Sequence, residues 1–171
     1  MTTRTVGMTT MWTVTGSPVG DLRIVAQDGM ITAIEFSPFL APPSTTAPIG
    51  DREDDDPLLR SAVDQLAAYF ARDLKEFELP LAPRGSDFQK RVWAQLRGIE
   101  YGETASYGEV ARRLGMTNVA SRAVGLANGR NPIPVVIPCH RVIGANGTLT
   151  GYAGGLERKQ LLLELEQDAL F

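Results

Sequence analysis

Two residues that could carry covalent chemistry lie side by side in this chain: Cys139 and His140, in the string Ile-Pro-Cys-His-Arg-Val-Ile. They are the only cysteine and the only histidine of the sequence. A thiol is a strong nucleophile only as the thiolate, so a catalytic cysteine needs a base or a positive field to remove its proton. His140 is the candidate base. Taken alone, the pair could also be an inert buried thiol beside a structural histidine.

The backbone around this pair is expected to be rigid. Pro134 and Pro138 fix φ on both sides of an apolar run at residues 135–137, and each restricts the residue before it. A placed nucleophile benefits from such rigidity. The apolar run predicts a buried strand or extended segment that leads into Cys139.

Length and composition describe an ordinary globular protein. With 171 residues and 43% hydrophobic content, the chain can bury a core in one domain or in two small ones. The first twenty residues lack the apolar run of a signal peptide, and no later stretch is long enough to cross a bilayer. We therefore expect a cytoplasmic protein without a membrane partner. One cysteine and one histidine cannot build the usual four-ligand zinc site, so no metal is expected.

The charge is distributed unevenly along the chain. Residues 1–84 carry 7 basic and 12 acidic side chains, which gives −5, whereas residues 85–171 carry 10 and 8, which gives +2. Within residues 87–141 the count is 8 basic against 4 acidic. This asymmetry is compatible with a surface in the second half that faces a polyanion, and equally with a solvated charged face.

The first half predicts a small α/β region. Alternating apolar residues over 12–36, interrupted at the Asp28-Gly29 turn, are typical of β-hairpins. Residues 37–57 are rich in Pro, Ser, Thr and Asp, and they predict a flexible loop. Apolar spacings of three and four then predict a helix over 58–74.

The second half predicts a mostly helical region. Ser86 with Gln89 and Ser106 with Glu109 form capping-box patterns that mark two helix starts. A third helix over 119–127 would complete a helix-turn-helix. The chain is therefore predicted to be α/β in two small regions: an N-terminal β-hairpin sheet with a helix over 1–84, and a mostly helical domain over 85–171 with a helix-turn-helix and an active-site turn.

The third helix has an unusual composition. Arg122 is the long polar side chain of its first turns, and the residues around it are small: Ala120, Ser121, Ala123, Gly125 and Ala127. A bare helix can approach another surface closely, with Arg122 projecting from it. An internal helix packed tightly through small residues is the alternative.

The active-site string resembles a known family. Residues 131–143, Asn-Pro-Ile-Pro-Val-Val-Ile-Pro-Cys-His-Arg-Val-Ile, are followed by Gly-Tyr-Ala-Gly-Gly at 151–155 and by a leucine-rich closing helix. This pattern is similar to the O6-alkylguanine-DNA alkyltransferases, or methylated-DNA:protein-cysteine methyltransferases. The likeness covers about residues 86–166, and the Ile-Pro-Cys-His-Arg-Val string is highly specific to that family.

The resemblance implies a suicide alkyl transfer that needs no cofactor. Cys139 would attack the alkyl carbon on O6 of guanine, and guanine would leave as the neutral base after protonation. A thioether is a very poor leaving group, so each molecule would act once. His140 would accept the thiol proton through a water, and Glu166 would hold His140 in the right tautomer. Asn131 would tie the recognition helix to the active-site turn.

The resemblance also implies how DNA is bound. The damaged guanine would be flipped out of the duplex, with Arg122 filling the vacated space and Tyr107 crowding the target phosphate. Four small positions would face the minor groove: Ala120, Ser121, Ala123 and Gly125. The pocket would be formed by the backbone carbonyls of Cys139 and Val142, the ring of Tyr152 and the backbone N–H of Ala153.

The implied partner is double-stranded DNA that carries O6-alkylguanine, bound by a protein that is monomeric in solution. Activity on O4-alkylthymine and cooperative assembly on DNA stay open. Two other classes of protein compete with this hypothesis. One is a module that recognises alkylated DNA without repairing it; the known modules of this kind lack the cysteine. The other is a cysteine hydrolase, which would turn over repeatedly and would need an oxyanion site.

Overall fold

The N-terminal part of the chain is a four-stranded sheet with one helix packed on it. The computed structural model of the chain describes residues 9–39 and 50–168. The strands are β1 (Thr10–Thr15), β2 (Leu22–Gln27), β3 (Met30–Phe36) and β4 (Asp51–Arg52), in the order β3-β2-β1-β4, and the helix is α1 (Pro57–Phe70).

The predicted β-hairpins are confirmed. β2 pairs antiparallel with both β1 and β3, and its residues alternate between buried and half-buried positions. Asp28 and Gly29 join β2 to β3 with φ values of 51° and 78°. Positive φ at both central residues is the type I′ geometry whose twist matches that of the flanking strands.

The prediction of a flexible loop over 37–57 is wrong at its C-terminal end, and residues 40–49 lie outside the described residues. β4 adds to the sheet in parallel with β1. Trp12 Nε1 donates to the carbonyl of Gly50 at 3.2 Å, and Thr13 Oγ1 donates to Asp54 Oδ1 at 2.7 Å. A strand of two residues is too short to show a periodicity in the sequence, so β4 is recognised only from its contacts with β1.

The helix α1 is shorter than the predicted 58–74. It ends at Phe70 because Arg72 adopts a left-handed φ of 65°, and the N–H of Asp73 donates back to the carbonyl of Ala68 at 2.8 Å. This closure satisfies the last carbonyls of a helix and is usually made with glycine. With arginine in that position, the sequence gives no stop signal.

The C-terminal part is mostly helical, as predicted. Its elements are α2 (Asp87–Leu96), β5 (Ala105–Ser106), α3 (Tyr107–Arg113), α4 (Ser121–Gly129), β6 (Val142–Ile143) and α5 (Leu156–Asp168), and β5 pairs with β6 in parallel. Ser86 and Gln89 form the complete capping box. Ser106 Oγ accepts the N–H of Glu109 at 3.1 Å. None of the helices described is long and apolar enough to cross a membrane.

The two parts pack against each other through one hydrophobic core. The N–H of Ile34 in β3 donates to the carbonyl of Pro132 at 2.9 Å, and Arg158 in α5 donates to the carbonyl of Val19 at 2.8 Å. These contacts cross the predicted boundary between residues 1–84 and 85–171. The division of the chain into two domains at that boundary stays a proposal. The active-site turn and α5 therefore lie against the N-terminal sheet.

Candidate active site

The segment before Cys139 is a compact turn, so the prediction of a strand or extended segment there is wrong. Val135 has a φ of 72°, and the N–H of Ile137 donates to the carbonyl of Ile133 at 2.9 Å. Asn131 closes the turn: its Nδ2 donates to the carbonyl of Ile137 at 2.8 Å, and its Oδ1 accepts the N–H of Ile133 at 3.0 Å. Buried branched residues fit a strand or a turn equally well, and the Asn131 amide selects the turn.

Cys139 begins a short 3-10 helix, Cys139–Arg141, and is buried with 3% of its surface exposed. Burial raises the pKa of its thiol to about 11, against the smaller lowering effects of a hydrogen bond with Asn131 and of the charge on Lys159. At neutral pH the resting side chain is therefore a neutral thiol. A thiol in this state could act as a nucleophile only if a base at the site removed its proton.

His140 and Glu166 form a buried pair. His140 Nε2 lies 2.6 Å from Glu166 Oε2, and the two side chains are 0% and 1% exposed. Burial lowers the pKa of His140, although the hydrogen bond and charge of Glu166 oppose this, so the resting imidazole is neutral. A carboxylate can only accept, so the neutral ring donates from Nε2 and keeps its lone pair on Nδ1. Nδ1 is buried without a hydrogen-bond partner among the described residues, and can accept a proton.

Glu166 is ionised because it is paired. Burial alone would raise its pKa, but hydrogen bonds with His140 and Arg141 and their charges outweigh this and hold the pKa at about 2. Arg141 Nε donates to Oε1 at 2.8 Å, and Arg141 Nη1 donates to the carbonyl of Ile99 at 2.6 Å. The carboxylate is thus fixed from one side by a guanidinium that is itself anchored to the backbone.

The depressed pKa of Glu166 predicts a loss of stability in acid. The ionised form is favoured in the folded protein, so its contribution is fully present above the ordinary value of 4.5 and is lost as the pH falls toward about 2. A shift of this size corresponds to roughly 3 kcal/mol. Urea unfolding measured between about pH 6 and pH 3 should show this decline, and Glu166→Gln should flatten it. Parallel curves for the two proteins would contradict the assignment.

Four buried polar side chains at the site were not predicted from the sequence: Lys159, Arg141, Asn128 and Tyr69. Lys159 Nζ donates to the carbonyls of Val142 and Thr150, at 2.6 and 2.9 Å. Arg141 lies in the recognised string and could have been considered. The other three come from α1, α4 and α5, where no local pattern separates them from ordinary helix residues.

The predicted pocket residues lie around the active-site turn. The carbonyl of Val142 accepts Lys159 Nζ, and the carbonyl of Cys139 accepts Asn128 Nδ2 at 3.3 Å and the N–H of Val142. An exocyclic amine bound there would have to share or displace these donors. Ala153 is exposed, in the same loop as Tyr152.

Two tyrosines border this loop. The ring of Tyr152 packs edge-on against Phe36 of β3, with centroids 5.8 Å apart. The hydroxyl of Tyr107, at the start of α3, lies 2.5 Å from Thr150 Oγ1. The loop is therefore held by the N-terminal sheet on one side and by the helix-turn-helix on the other.

The predicted DNA-binding residues lie on α4 and the turn before it. Arg122 and Ala123 are exposed, and three positions are half-buried: Ala120, Ser121 and Gly125. Val119 and Leu126, which the prediction left out, are 91% and 64% exposed. The face around Arg122 is therefore more apolar than the small residues alone suggested.

Comparison with known proteins gives two matching families that together cover most of the chain. The DNA binding domain of 6-O-methylguanine DNA methyltransferase matches residues 87–168, and the ribonuclease-like domain of 6-O-methylguanine DNA methyltransferase matches residues 10–83. A methylated-DNA–protein-cysteine methyltransferase of Mycolicibacterium paratuberculosis is 51% identical over 151 residues, 88% of each chain. One of Methanosarcina acetivorans is 58% identical over 113 residues, 66% of this chain and 72% of that protein.

Solved structures agree with these matches. The crystal structure of Mycobacterium tuberculosis O6-methylguanine methyltransferase is 48% identical with a TM-score of 0.84, over 94% of each chain. The crystal structure of Mycobacterium tuberculosis OGT in complex with DNA is 46% identical with a TM-score of 0.82, over 93% of this chain and 94% of that one. The likeness therefore extends over both parts of the fold.

Proposed function

Since the chain belongs to the 6-O-methylguanine DNA methyltransferase family, we propose that it repairs DNA by moving an alkyl group from O6 of guanine to Cys139. The observation that carries the proposal is the buried contact of 2.6 Å between His140 Nε2 and Glu166 Oε2, directly beside the buried thiol. This is the arrangement of nucleophile, base and orienting carboxylate that nucleophilic catalysis requires.

The transfer step follows from the protonation states. The Sγ–C bond forms as the O6–C bond breaks, and the electron pair of the broken bond stays with the guanine oxygen. The thiol proton passes to His140 Nδ1 through a water. The guanine takes up one proton from water as it leaves, and the imidazolium then gives one proton back to water, so the base leaves neutral and His140 ends neutral. Glu166 stabilises the imidazolium that forms in between. Because the thiol is neutral at rest, proton removal and attack are coupled.

The product explains why the protein would act once. An alkyl thioether has no proton to lose, and an attack by water on its alkyl carbon would have to expel a thiolate, which is a very poor leaving group here. Water therefore has no route to restore the thiol. We infer a stoichiometric protein with one alkyl group accepted per chain and no cofactor.

The proposed encounter with DNA uses α4. O6 of guanine lies within the stacked duplex, so the nucleotide must rotate out for in-line attack at its alkyl group. Arg122 is exposed at the start of α4, where it would fill the vacated space, and Tyr107 would crowd the target phosphate. Small side chains at Ala120, Ser121 and Ala123 would permit close approach to the minor groove.

The test is the intact mass of the protein after incubation with a duplex that contains one O6-methylguanine. We expect one added methyl group, mapped to Cys139 and saturating at one per molecule. The unmethylated duplex and the Cys139→Ser protein are the controls, since neither can yield the thioether. Unmodified protein that still binds the lesion would favour a recognition module, and repeated turnover would favour a hydrolase. Either result would overturn the proposal.

A further inference from the structure

The carboxylate of Glu166 has another close donor, from the N-terminal part of the chain. The hydroxyl of Tyr69, in α1, donates to Glu166 Oε2 at 2.5 Å. This is the same oxygen that pairs with His140 Nε2. Tyr69 is fully buried, so water cannot replace its hydroxyl at this oxygen. The N-terminal helix thus contacts the His140–Glu166 pair directly.

The ring of Tyr69 is held in place by other aromatic rings. Phe70 and Tyr101 pack edge-on against it, with centroids 5.2 and 6.1 Å away, and Phe77 packs at 5.3 Å. A ring confined on several sides cannot swing its hydroxyl away without disturbing the core. The hydroxyl is therefore a fixed donor, placed by packing in the N-terminal part.

We propose that Tyr69 is a positioning residue for alkyl transfer: its hydroxyl fixes Glu166 Oε2 opposite His140 Nε2 and limits how strongly His140 binds a proton. The inference rests on the proposed function, since it concerns the same proton transfer. It assigns the N-terminal part of the chain a direct role in the active site.

The physical reason is that one carboxylate oxygen is shared. Oε2 accepts from His140, from Tyr69 and, at 3.2 Å, from Arg141 Nη2. Each donor withdraws negative charge from the oxygen, so each weakens the bonds that the others make. Tyr69 does this without adding a positive charge that would repel the imidazolium. Without its hydroxyl, Glu166 would hold a protonated His140 more strongly.

Tyr69 stays a donor throughout the useful pH range. Burial, followed by the charge of Glu166 and the hydrogen bond to it, raises the pKa of Tyr69 far above its ordinary value. The other charged or titratable groups around the pair do not change when Tyr69 is replaced by phenylalanine: Arg141, Lys159, Tyr101, Tyr152 and the adjacent Cys139. A difference in the titration midpoint of His140 between the wild type and Tyr69→Phe would therefore report the loss of the Tyr69 hydroxyl.

The experiment is an NMR titration of the imidazole, which is unambiguous because the chain has a single histidine. Untagged wild-type, Tyr69→Phe and Tyr101→Phe proteins would be compared without DNA. We expect Tyr69→Phe to titrate about half a pH unit or more above the wild type. The titration midpoint of Tyr101→Phe should match that of the wild type. The buried hydroxyl of Tyr101 belongs to the same aromatic cluster as that of Tyr69 but has no hydrogen-bond partner among the described residues.

An unchanged or lowered midpoint in Tyr69→Phe would overturn the inference. Because the titration needs no alkyl transfer, it is decided separately from the proposed function, which the mass measurement tests. If Tyr69→Phe does not fold, the wild-type protein supplies the second test. Its Tyr69 hydroxyl proton should be protected from exchange and show a nuclear Overhauser effect to the imidazole of His140. A rapidly exchanging hydroxyl would equally overturn the inference.

Discussion

Replacing Glu166 with glutamine is expected to slow methyl transfer from a methylated duplex about 100-fold or more and to lower the free energy of unfolding by roughly 3 to 5 kcal/mol. A carboxamide is neutral, so the guanidinium of Arg141 would stay buried without its counter-charge. The imidazolium of His140 would lose the same stabilisation. The carboxamide nitrogen would also face one of the donors that now converge on Glu166, because a glutamine has only one accepting oxygen.

Glu164→Gln is the matched control, because it makes the same chemical change on α5 at an exposed carboxylate. Single-turnover rates and urea unfolding would be measured for both variants and the wild type. Glu164→Gln should differ little from the wild type in either measurement. A Glu166→Gln protein that transfers methyl groups at the wild-type rate would exclude Glu166 from the proton transfer, whatever its stability.

Replacing Arg122 with alanine is expected to slow repair of the duplex about 10- to 100-fold while free O6-alkylguanine base reacts at the wild-type rate. Unstacking a base costs a few kcal/mol, and the side chain that fills the vacated space offsets part of that cost. Arg122 is exposed on α4, whereas Cys139, His140 and Glu166 are buried. The free base needs no flipping, so its reaction reports the active site alone.

Two further variants separate shape from charge in this prediction. Arg122→Lys keeps the positive charge but not the planar guanidinium, and Arg60→Ala removes an exposed charge from α1, outside the predicted DNA surface. We expect Arg122→Lys to be intermediate and Arg60→Ala to equal the wild type. If Arg122→Ala slowed the free base as much as the duplex, the residue would act on the chemistry, and its assignment to flipping would be wrong.

The parts of the fold that the sequence predicted are those set by local interactions. Ser86 and Ser106 cap the N–H groups of residues three positions later, so helix starts are visible in four consecutive letters. The Asp28-Gly29 hairpin is equally local, because these two residue types tolerate the positive φ that the turn requires. The sequence did not predict the end of α1, because the residue with a left-handed φ after the helix is Arg72 and not a glycine. The left-handed φ is accounted for only by the hydrogen bond that the N–H of Asp73 makes back to the helix.

Nothing in the sequence around Glu166 distinguishes it from the other carboxylates of α5. Glu164 and Glu166 are two residues apart on α5, yet one is exposed and the other is 1% exposed. Periodicity did not separate them, and only the likeness of the active-site string to a family pointed to Glu166. The turn before Cys139 shows the same limit, because its apolar run is compatible with an extended segment until the amide of Asn131 is placed.

By itself, the sequence pointed to the family and predicted the nucleophile and the adjacent base, because Cys139 and His140 are neighbours in a specific string. Only the tertiary structure decided the surroundings that control their protons. The donors to Glu166 come from α1, from the loop at Gly102 and from the active-site turn, and the most distant of them, Tyr69, lies 97 residues before Glu166 in the chain. The position of these donors around one carboxylate depends on how elements that are distant in sequence pack together. A pattern along the sequence carries no information about how close such elements lie in space.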